Sequence, residues 1–302
     1  GYGEGQTYLG SALVQTDING DATISTTLTA NVAAGSFISA TATQTNATET
    51  AHTNTSEFAR NVYALPLVQG ALVVDTTNDV TDGDATSIST LLANKGADGF
   101  ISLREAVIAA NNTANGSSSD SITFNIPGVG PQAINLMSAL PTITDAVVLD
   151  ATTQTGYVAG SPVIVLDGVG AGAEASGFVL RASNSTITGF RIQNFFNGTT
   201  STSGTGIVID GTAGGGDNNT ISHNYLNNNG ESVTGAVGAI TIAGAADNSL
   251  ITNNQLINNN SDGIRFADAL SSGTQITNNV IDGSGDDGVK LVGANITFTG
   301  NT

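Results

Sequence analysis

Two short acidic segments carry side chains that could perform acid–base chemistry. The first is Asn260-Ser-Asp-Gly-Ile264, and the second is Gly285-Asp-Asp-Gly-Val289. Their carboxylates are Asp262, Asp286 and Asp287. A pair of carboxyl groups on one groove can divide the roles of general acid and general base. The sequence therefore offers a candidate catalytic group, provided that neighbouring elements of the fold bring the two segments together.

A cation follows each segment. Arg265 and Lys290 lie three residues beyond Asp262 and Asp287, and we expect both to project outward and to hold an anionic sugar. The two segments resemble the N-T-D and G-D-D segments of polygalacturonase-type glycoside hydrolases. This resemblance implies hydrolysis with inversion, in which one carboxyl protonates the leaving oxygen and another activates water, at a separation of about 6.5–9.5 Å.

The same segments have a structural interpretation, which we favour. Asp-Gly before an inward Ile is good turn chemistry, and the His-Gly and Arg-x-Lys segments of those hydrolases are absent after Asp287. A lyase would need a calcium cluster and an arginine base, and the chain has only 7 Lys and Arg residues. We therefore predict that the chain is not an enzyme. The alternative is a polygalacturonase-like hydrolase or another polysaccharide-active enzyme.

A second acidic cluster is a candidate metal site. Asp75, Asp79, Asp82 and Asp84 lie close together in the sequence, interleaved with Asn78. Oxygen ligands on a loop suit Ca²⁺, which takes six to eight of them. The sequence predicts that calcium, if the chain binds it, binds here. A solvated acidic loop without a metal is the alternative interpretation.

The elements that must position these residues are repeats. Ile221–Leu226, Ile251–Leu256 and Ile276–Ile281 share one pattern, and a shorter copy lies at Phe298–Asn301. Each full copy is followed by a Gly and another alternating strand. Short strands separated by Asn, Gly and Asp, without helical stretches, are typical of the coils of a parallel β-helix.

One asparagine recurs at the same place in successive coils. These residues are Asn224, Asn254, Asn279 and Asn301. Asn tolerates a left-handed backbone, and its amide can bond an identical amide in the next coil. We therefore predict an asparagine ladder.

A helix is predicted at Leu103–Asn111, where it would cover the open end of the solenoid. Phe100–Asn111, together with Asp120–Phe124 and Leu140–Ile143, resembles the CSLREA domain that opens right-handed β-helices in large bacterial surface and secreted proteins. Ile101 stands where that family has its name-giving Cys. The resemblance implies a right-handed helix, an extracellular setting at the cell surface, and a scaffold or adhesive role.

The predicted fold is therefore all-β, with three parts. Residues 1–65 alternate in segments that predict a partial Ig-like β-sandwich, beginning with a strand at Thr7–Thr16. Residues 66–120 hold a linker, the acidic loop and the short N-terminal capping helix. Residues 121–302 form the right-handed parallel β-helix.

Charge and hydropathy limit the partners. The net charge of −18 disfavours nucleic acid, and the absence of a run of 18 apolar residues disfavours membrane insertion. We expect an extracellular structural or adhesive protein that assembles head to tail with further copies of itself into a filament, with polysaccharide as a second candidate partner. The strand expected to join the next unit comprises Asn295, Ile296, Thr297, Phe298 and Thr299.

Overall fold

The structure is a computed structural model. It describes residues 7–19, 22, 37–45, 52–56, 62–63, 71–116, 118–196, 204–230, 237–293 and 295–302. The chain divides into two compact units, Gly1–Val68 and Gln69–Thr302. No helix in the described ranges is long and apolar enough to cross a membrane.

The described part of the first unit contains two antiparallel strand pairs. β1 (Phe37–Ile38) pairs with β4 (Val62–Tyr63), and β2 (Thr43–Thr45) pairs with β3 (His52–Thr55). Residues 7–19 contain a turn and no strand, so the strand predicted at Thr7–Thr16 is wrong. The rest of the predicted sandwich lies largely outside the described residues.

The second unit is a solenoid of parallel strands arranged in three sheets. Its strands are β5 (Ala71–Val74), β6 (Asp120–Phe124), β7 (Gln132–Asn135), β8 (Val147–Asp150), β9 (Ile164–Asp167), β10 (Phe178–Leu180), β11 (Thr186–Thr188), β12 (Phe190–Gln193), β13 (Ile207–Gly211), β14 (Thr220–Ser222), β15 (Tyr225–Asn227), β16 (Gly238–Gly244), β17 (Leu250–Thr252), β18 (Gln255–Ile257), β19 (Asp262–Phe266), β20 (Gln275–Thr277), β21 (Val280–Asp282), β22 (Val289–Lys290) and β23 (Thr297–Thr299).

Each regular coil contributes one strand to each sheet. Sheet 1 has the order β5-β6-β8-β11-β14-β17-β20-β23, sheet 2 has the order β7-β9-β12-β15-β18-β21, and sheet 3 has the order β10-β13-β16-β19-β22. Every pairing within these three sheets is parallel. The architecture is a parallel β-helix, as the repeats predicted.

A column of aliphatic side chains explains why these short strands form. The central residue of each sheet 1 strand points inward, and seven successive ones are fully buried: Leu72, Ile122, Leu149, Ile187, Ile221, Ile251 and Ile276. Burial of one such side chain stabilises the fold by about 1.5–3 kcal/mol. Because alternation is strict, the residues on either side of each inward residue face solvent.

The corners between sheets depend on residues with positive φ. At the corner between sheets 1 and 2, His223, Asn253 and Asn278 have φ of 56°, 56° and 57°, and Gly189 and Gly300 take the same place in other coils. Asn and Gly adopt this backbone conformation readily. Each repeat such as Ile221–Leu226 therefore contains two strands and a corner, rather than one strand.

Two helices cover the start of the solenoid. These are α1 (Ile88–Ala93) and the predicted α2 (Leu103–Asn111), and each begins with a capping box. Both lie between β5 and β6, which pair directly with each other. The solenoid therefore starts at Ala71, and the predicted boundary at residue 121 is too late. Ala71-Leu-Val-Val74 is too short and too uniformly apolar to show a strand period.

The predicted assembly strand is a rung of its own chain. β23 pairs in parallel with β20, with Thr297 opposite Gln275 and Phe298 opposite Ile276. That residues 295–299 also join the next unit stays a prediction. Phe298 is in register with the inward residues of sheet 1, but it is 45% exposed in this last rung.

Candidate functional site

A notch opens at the corner between sheets 2 and 3. Asn258 and Asn260 lie on one coil, and Gly283 and Gly285 take the equivalent places on the next. A Cβ on Gly283 would collide with Asn258 Oδ1, and one on Gly285 with the Asn260 carbonyl. A cavity of about 650 Å³ adjoins these close contacts. It is lined by Asn258, Asn259, Asn260, Ser261, Gly283, Gly285 and Asp286.

The structure brings the three predicted carboxylates together beside this notch. Asp262, Asp286 and Asp287 each place one oxygen within 4.8 Å of the other two. Asp262 begins β19 and is fully buried, whereas Asp286 and Asp287 are exposed in the turn before β22. Among the residues that the structure describes, this is the group of acidic or imidazole side chains close enough to supply three ligands to one cation.

Asp262 is engaged on both oxygens. Its Oδ2 accepts a hydrogen bond from Arg265 Nη1 at 2.9 Å, and its Oδ1 accepts one from the Asp287 N–H at 2.9 Å. Lys290 Nζ lies 3.8 Å from Asp287 Oδ2, and both side chains are about half exposed. The Asp262 carboxylate thus joins two coils. Arg265 and Lys290 offset part of the negative charge of the three carboxylates.

This geometry departs from the chemistry that the resemblance implied. Oxygens within 4.8 Å of one another are closer than the about 6.5–9.5 Å that an inverting hydrolase leaves for water between its carboxyl groups. A hard cation could take one oxygen from each carboxylate. It would then lie beside the Arg265 guanidinium, which already offsets the charge of Asp262.

The acidic loop does not form the predicted calcium site. The four carboxylates bind different groups: Asp75 binds Lys95 Nζ and the Ile101 N–H, Asp79 binds Arg104, Asp82 binds the Ala97 and Asp98 N–H groups, and Asp84 binds Thr86. They serve as local turn acceptors and ion-pair partners, so they do not converge on one point. The Thr86 hydroxyl and N–H hold the pKa of Asp84 below its usual value.

Arg104 and Glu105 fasten α2 to its surroundings. Arg104 makes two 2.8 Å bonds to Asp79 and also donates to the Ser138 and Ala139 carbonyls. Glu105 is fully buried and accepts three backbone N–H groups, those of Asp82, Gly83 and Ser102. Arg104 and Glu105 therefore connect α2 with the acidic loop and with residues 138–139.

The predicted asparagine ladder is present. Asn224 Nδ2 donates to Asn254 Oδ1 at 3.1 Å, Asn254 donates to Asn279 at 3.0 Å, and Asn279 donates to Asn301 at 2.9 Å. Sequence analysis missed a second ladder, in which Asn229 donates to Asn259 at the next corner. The left-handed backbone expected at the ladder asparagines lies one residue earlier. The residue before each ladder asparagine has positive φ, and it is Asn in most coils but His223 and Gly300 in two.

A hairpin forms a second, shallower groove on the other side of sheet 2. Val158 and Ser161 form its turn, and its Gly160 packs so closely on Gln255 that a Cβ would lie 2.7 Å from Gln255 Nε2. Burial, and then the Asp150 carboxylate, raises the pKa of Tyr157 at its base. The groove measures about 350 Å³. Its lining residues are Ala159, Gly160, His223, Asn253, Asn254, Gln255, Asn278 and Val280.

Comparison with known proteins agrees with this architecture. Residues 165–302 match the family model described as the right handed beta helix region. The matched range contains both amide ladders and the acidic site. A search of the curated proteins found no match.

Proposed function

We propose that this chain is an extracellular structural and adhesive protein and that its solenoid is a rigid scaffold rather than an enzyme. The observation that carries the proposal is the engagement of Asp262. Its two oxygens bind Arg265 and the Asp287 N–H, so the most buried carboxylate of the acidic site holds adjacent coils together. The resemblance of residues 100–143 to the CSLREA domain supports the location at the cell surface.

Assembly into a head-to-tail filament is part of the proposal. Successive rungs bind through the same backbone pairing and the same amide ladders. A coil therefore offers its neighbour the same surface throughout the regular region, whichever polypeptide supplies that neighbour. Contacts of this kind propagate along an axis and produce filaments unless their rotation closes a ring.

Two measurements test the proposal together. The purified chain is incubated with polygalacturonate, and reducing ends are counted for wild type and for Asp287→Asn. We expect no release of reducing ends from either protein, because Asp262 is already bound on both oxygens by Arg265 and the Asp287 N–H. Negative-stain electron microscopy of the wild type should show filaments. Compact monodisperse particles would reject the assembly.

The polygalacturonase-like hydrolase remains the second candidate. Three carboxylates, two cations and an adjoining 650 Å³ notch lie together, and that arrangement favours it. Release of reducing ends that disappears in Asp287→Asn, while the folded protein keeps its melting temperature, would establish this candidate and reject the scaffold.

A further inference from the structure

The outward surface of sheet 1 lacks charge over five successive rungs. We call this surface the uncharged face. Its outward side chains are Thr186, Thr188, Thr220, Ser222, Leu250, Thr252, Gln275, Thr277, Thr297 and Thr299. No Asp, Glu, Lys or Arg occupies any of these ten positions.

Hydroxyl groups form a column on this face. Thr188, Ser222, Thr252, Thr277 and Thr299 are in register, and neighbouring rungs of a sheet lie about 4.8 Å apart. Ser222 Oγ donates to Thr188 at 3.1 Å, and Thr277 Oγ1 donates to Thr252 at 2.9 Å. A hydroxyl has one proton and two lone pairs, so the threonines of the column retain capacity to bind a ligand, whereas Ser222 is buried.

The groove under the hairpin borders the uncharged face. His223, Asn253 and Asn278 are the corner residues that directly follow β14, β17 and β20, and they also line the groove. None of the eight lining residues is acidic, and none is Lys or Arg. The hairpin tip and the corner therefore add a concave edge, rich in amides, to a flat surface that bears hydroxyls.

The chemistry of this combined surface selects its ligand. Hydroxyl and carboxamide groups both donate and accept hydrogen bonds, and they repeat at regular intervals along the solenoid axis. A polyanion would find no cation here to offset its charge, and an apolar partner would strip water from hydroxyls without replacing their bonds. A neutral polymer that carries hydroxyls at regular intervals matches both the groups and their periodicity.

We propose that the uncharged face and its edge groove bind a neutral polysaccharide. The site lies on sheet 1, and the acidic site adjoins sheet 3. The inference rests on the proposed adhesive function, for which it supplies the class of target. Asn253 and Asn278 hold the glycan at the edge, and the threonine column binds it along the face.

Sedimentation with insoluble cellulose, chitin and starch granules tests this site, with a polygalacturonate gel as the charged comparison. The groove variant is Asn253→Gly with Asn278→Gly, because Gly189 and Gly300 already occupy that corner with positive φ. The face variant is Thr252→Val with Thr277→Val, which removes hydroxyls but keeps the β-branched shape. The matched control is Asn194→Gly with Asn228→Gly at the corner between sheets 2 and 3, where both residues have positive φ.

We expect the wild type to sediment with at least one neutral polysaccharide and not with polygalacturonate. Both test variants should bind at least tenfold more weakly, and the control should stay within twofold of wild type. Absence of binding to all three neutral polymers, binding to polygalacturonate alone, or unchanged binding by folded test variants would overturn the proposal. Filaments that bind no glycan would reject this inference alone, whereas degradation of a bound glycan would reject the scaffold function alone.

Discussion

The cap and the coils both bury polar side chains, but they bury different kinds. Between Asp75 and Asn111 the buried groups are ions with individual partners, such as Arg104 with Asp79 and Glu105 with three backbone N–H groups. In the regular coils the buried polar groups that repeat from rung to rung are neutral amides that bind copies of themselves, as Asn254 does with Asn279. The buried Asp262 is a single ion there, and it is paired with Arg265.

The difference follows from repetition. Rungs lie about 4.8 Å apart, and two like charges at that distance repel by about 3 kcal/mol even at an effective dielectric constant of 20. An ion can therefore be buried once, where a partner meets it, but it cannot be stacked rung upon rung. An amide carries a donor and an acceptor, so a stack of amides satisfies itself. Buried ions therefore occur at contacts that are made once, and stacked neutral amides occur at contacts that repeat from coil to coil.

The strongest test of this comparison removes a cation from the cap. Arg104→Met leaves Asp79 buried beside α2 without its partner, and we expect a loss of about 3–5 kcal/mol. The matched control is Arg181→Met on the coils, because Arg181 is half exposed in its ion pair with Asp210 and should cost about 0–1 kcal/mol. Denaturant unfolding and hydrogen exchange of α2 provide the measurement. Equal losses would contradict the distinction.

A charge placed inside the asparagine ladder should lower the free energy of unfolding by nearly as much as Arg104→Met does. Asn254→Asp removes the donor to Asn279 and to the Ile221 carbonyl, and we expect a loss of about 3 kcal/mol at pH 7. Burial raises the pKa of the introduced carboxyl, so the variant should be closest to wild type below pH 4 and weaken as pH rises. The control is Asn253→Asp on the adjacent exposed residue, which should stay within about 0.5 kcal/mol. A pH-independent loss would argue against charge as the cause.

Asp210 tests a charge that the coils do tolerate. Burial raises the pKa of Asp210, but bonds from Thr212 and Arg181 outweigh it, so the pKa is lowered overall. A depressed folded-state pKa contributes stability above the ordinary value near 3.9 and loses it as pH falls through the folded-state pKa. Asp210→Asn should therefore cost about 0.5–1 kcal/mol at pH 7, and the difference from wild type should be smaller at about pH 3. Thermal melts at both pH values measure it.

Calcium should have the smallest effect. Asp82 already accepts the Ala97 and Asp98 N–H groups, so we expect melting curves in millimolar Ca²⁺ and in chelator to coincide. Asp82→Asn should lower the melting temperature equally in both. A calcium-dependent increase in wild type that is lost in Asp82→Asn would restore a metal to the acidic loop.

The coils were predictable from sequence because each signal recurs. Alternation around Ile221, Ile251 and Ile276 and the asparagines in register repeat the same evidence several times, and the ladder geometry follows from it. The acidic site was also brought together as predicted, because adjacent coils place Asp262 beside Asp287. Its engagement with Arg265 was not predictable, since spacing alone does not reveal which oxygen meets which donor.

The cap was poorly predicted because its contacts occur once. Lys95 and Arg104 lie 20 and 25 residues from the carboxylates that they bind, and no local pattern connects them. Four closely spaced aspartates therefore suggested a metal site, although each carboxylate has its own partner in the structure. Similarly, β5 has no recurring signature, and it can be recognised as a rung only from its pairing with β6.

The position of the two helices also has a consequence for the order of events during synthesis. Val74 ends β5 and Asp120 begins β6, so 45 residues (75 to 119) leave the ribosome between the first strand and its neighbour. At about 5–20 residues per second, β5 waits roughly 2–9 s for that neighbour, whereas later rungs of sheet 1 follow one another after shorter stretches of chain. During this interval α1 and α2 are the structures available to shelter its apolar side chains. We therefore expect α1 and α2 to pack against β5 before β6 has been synthesised.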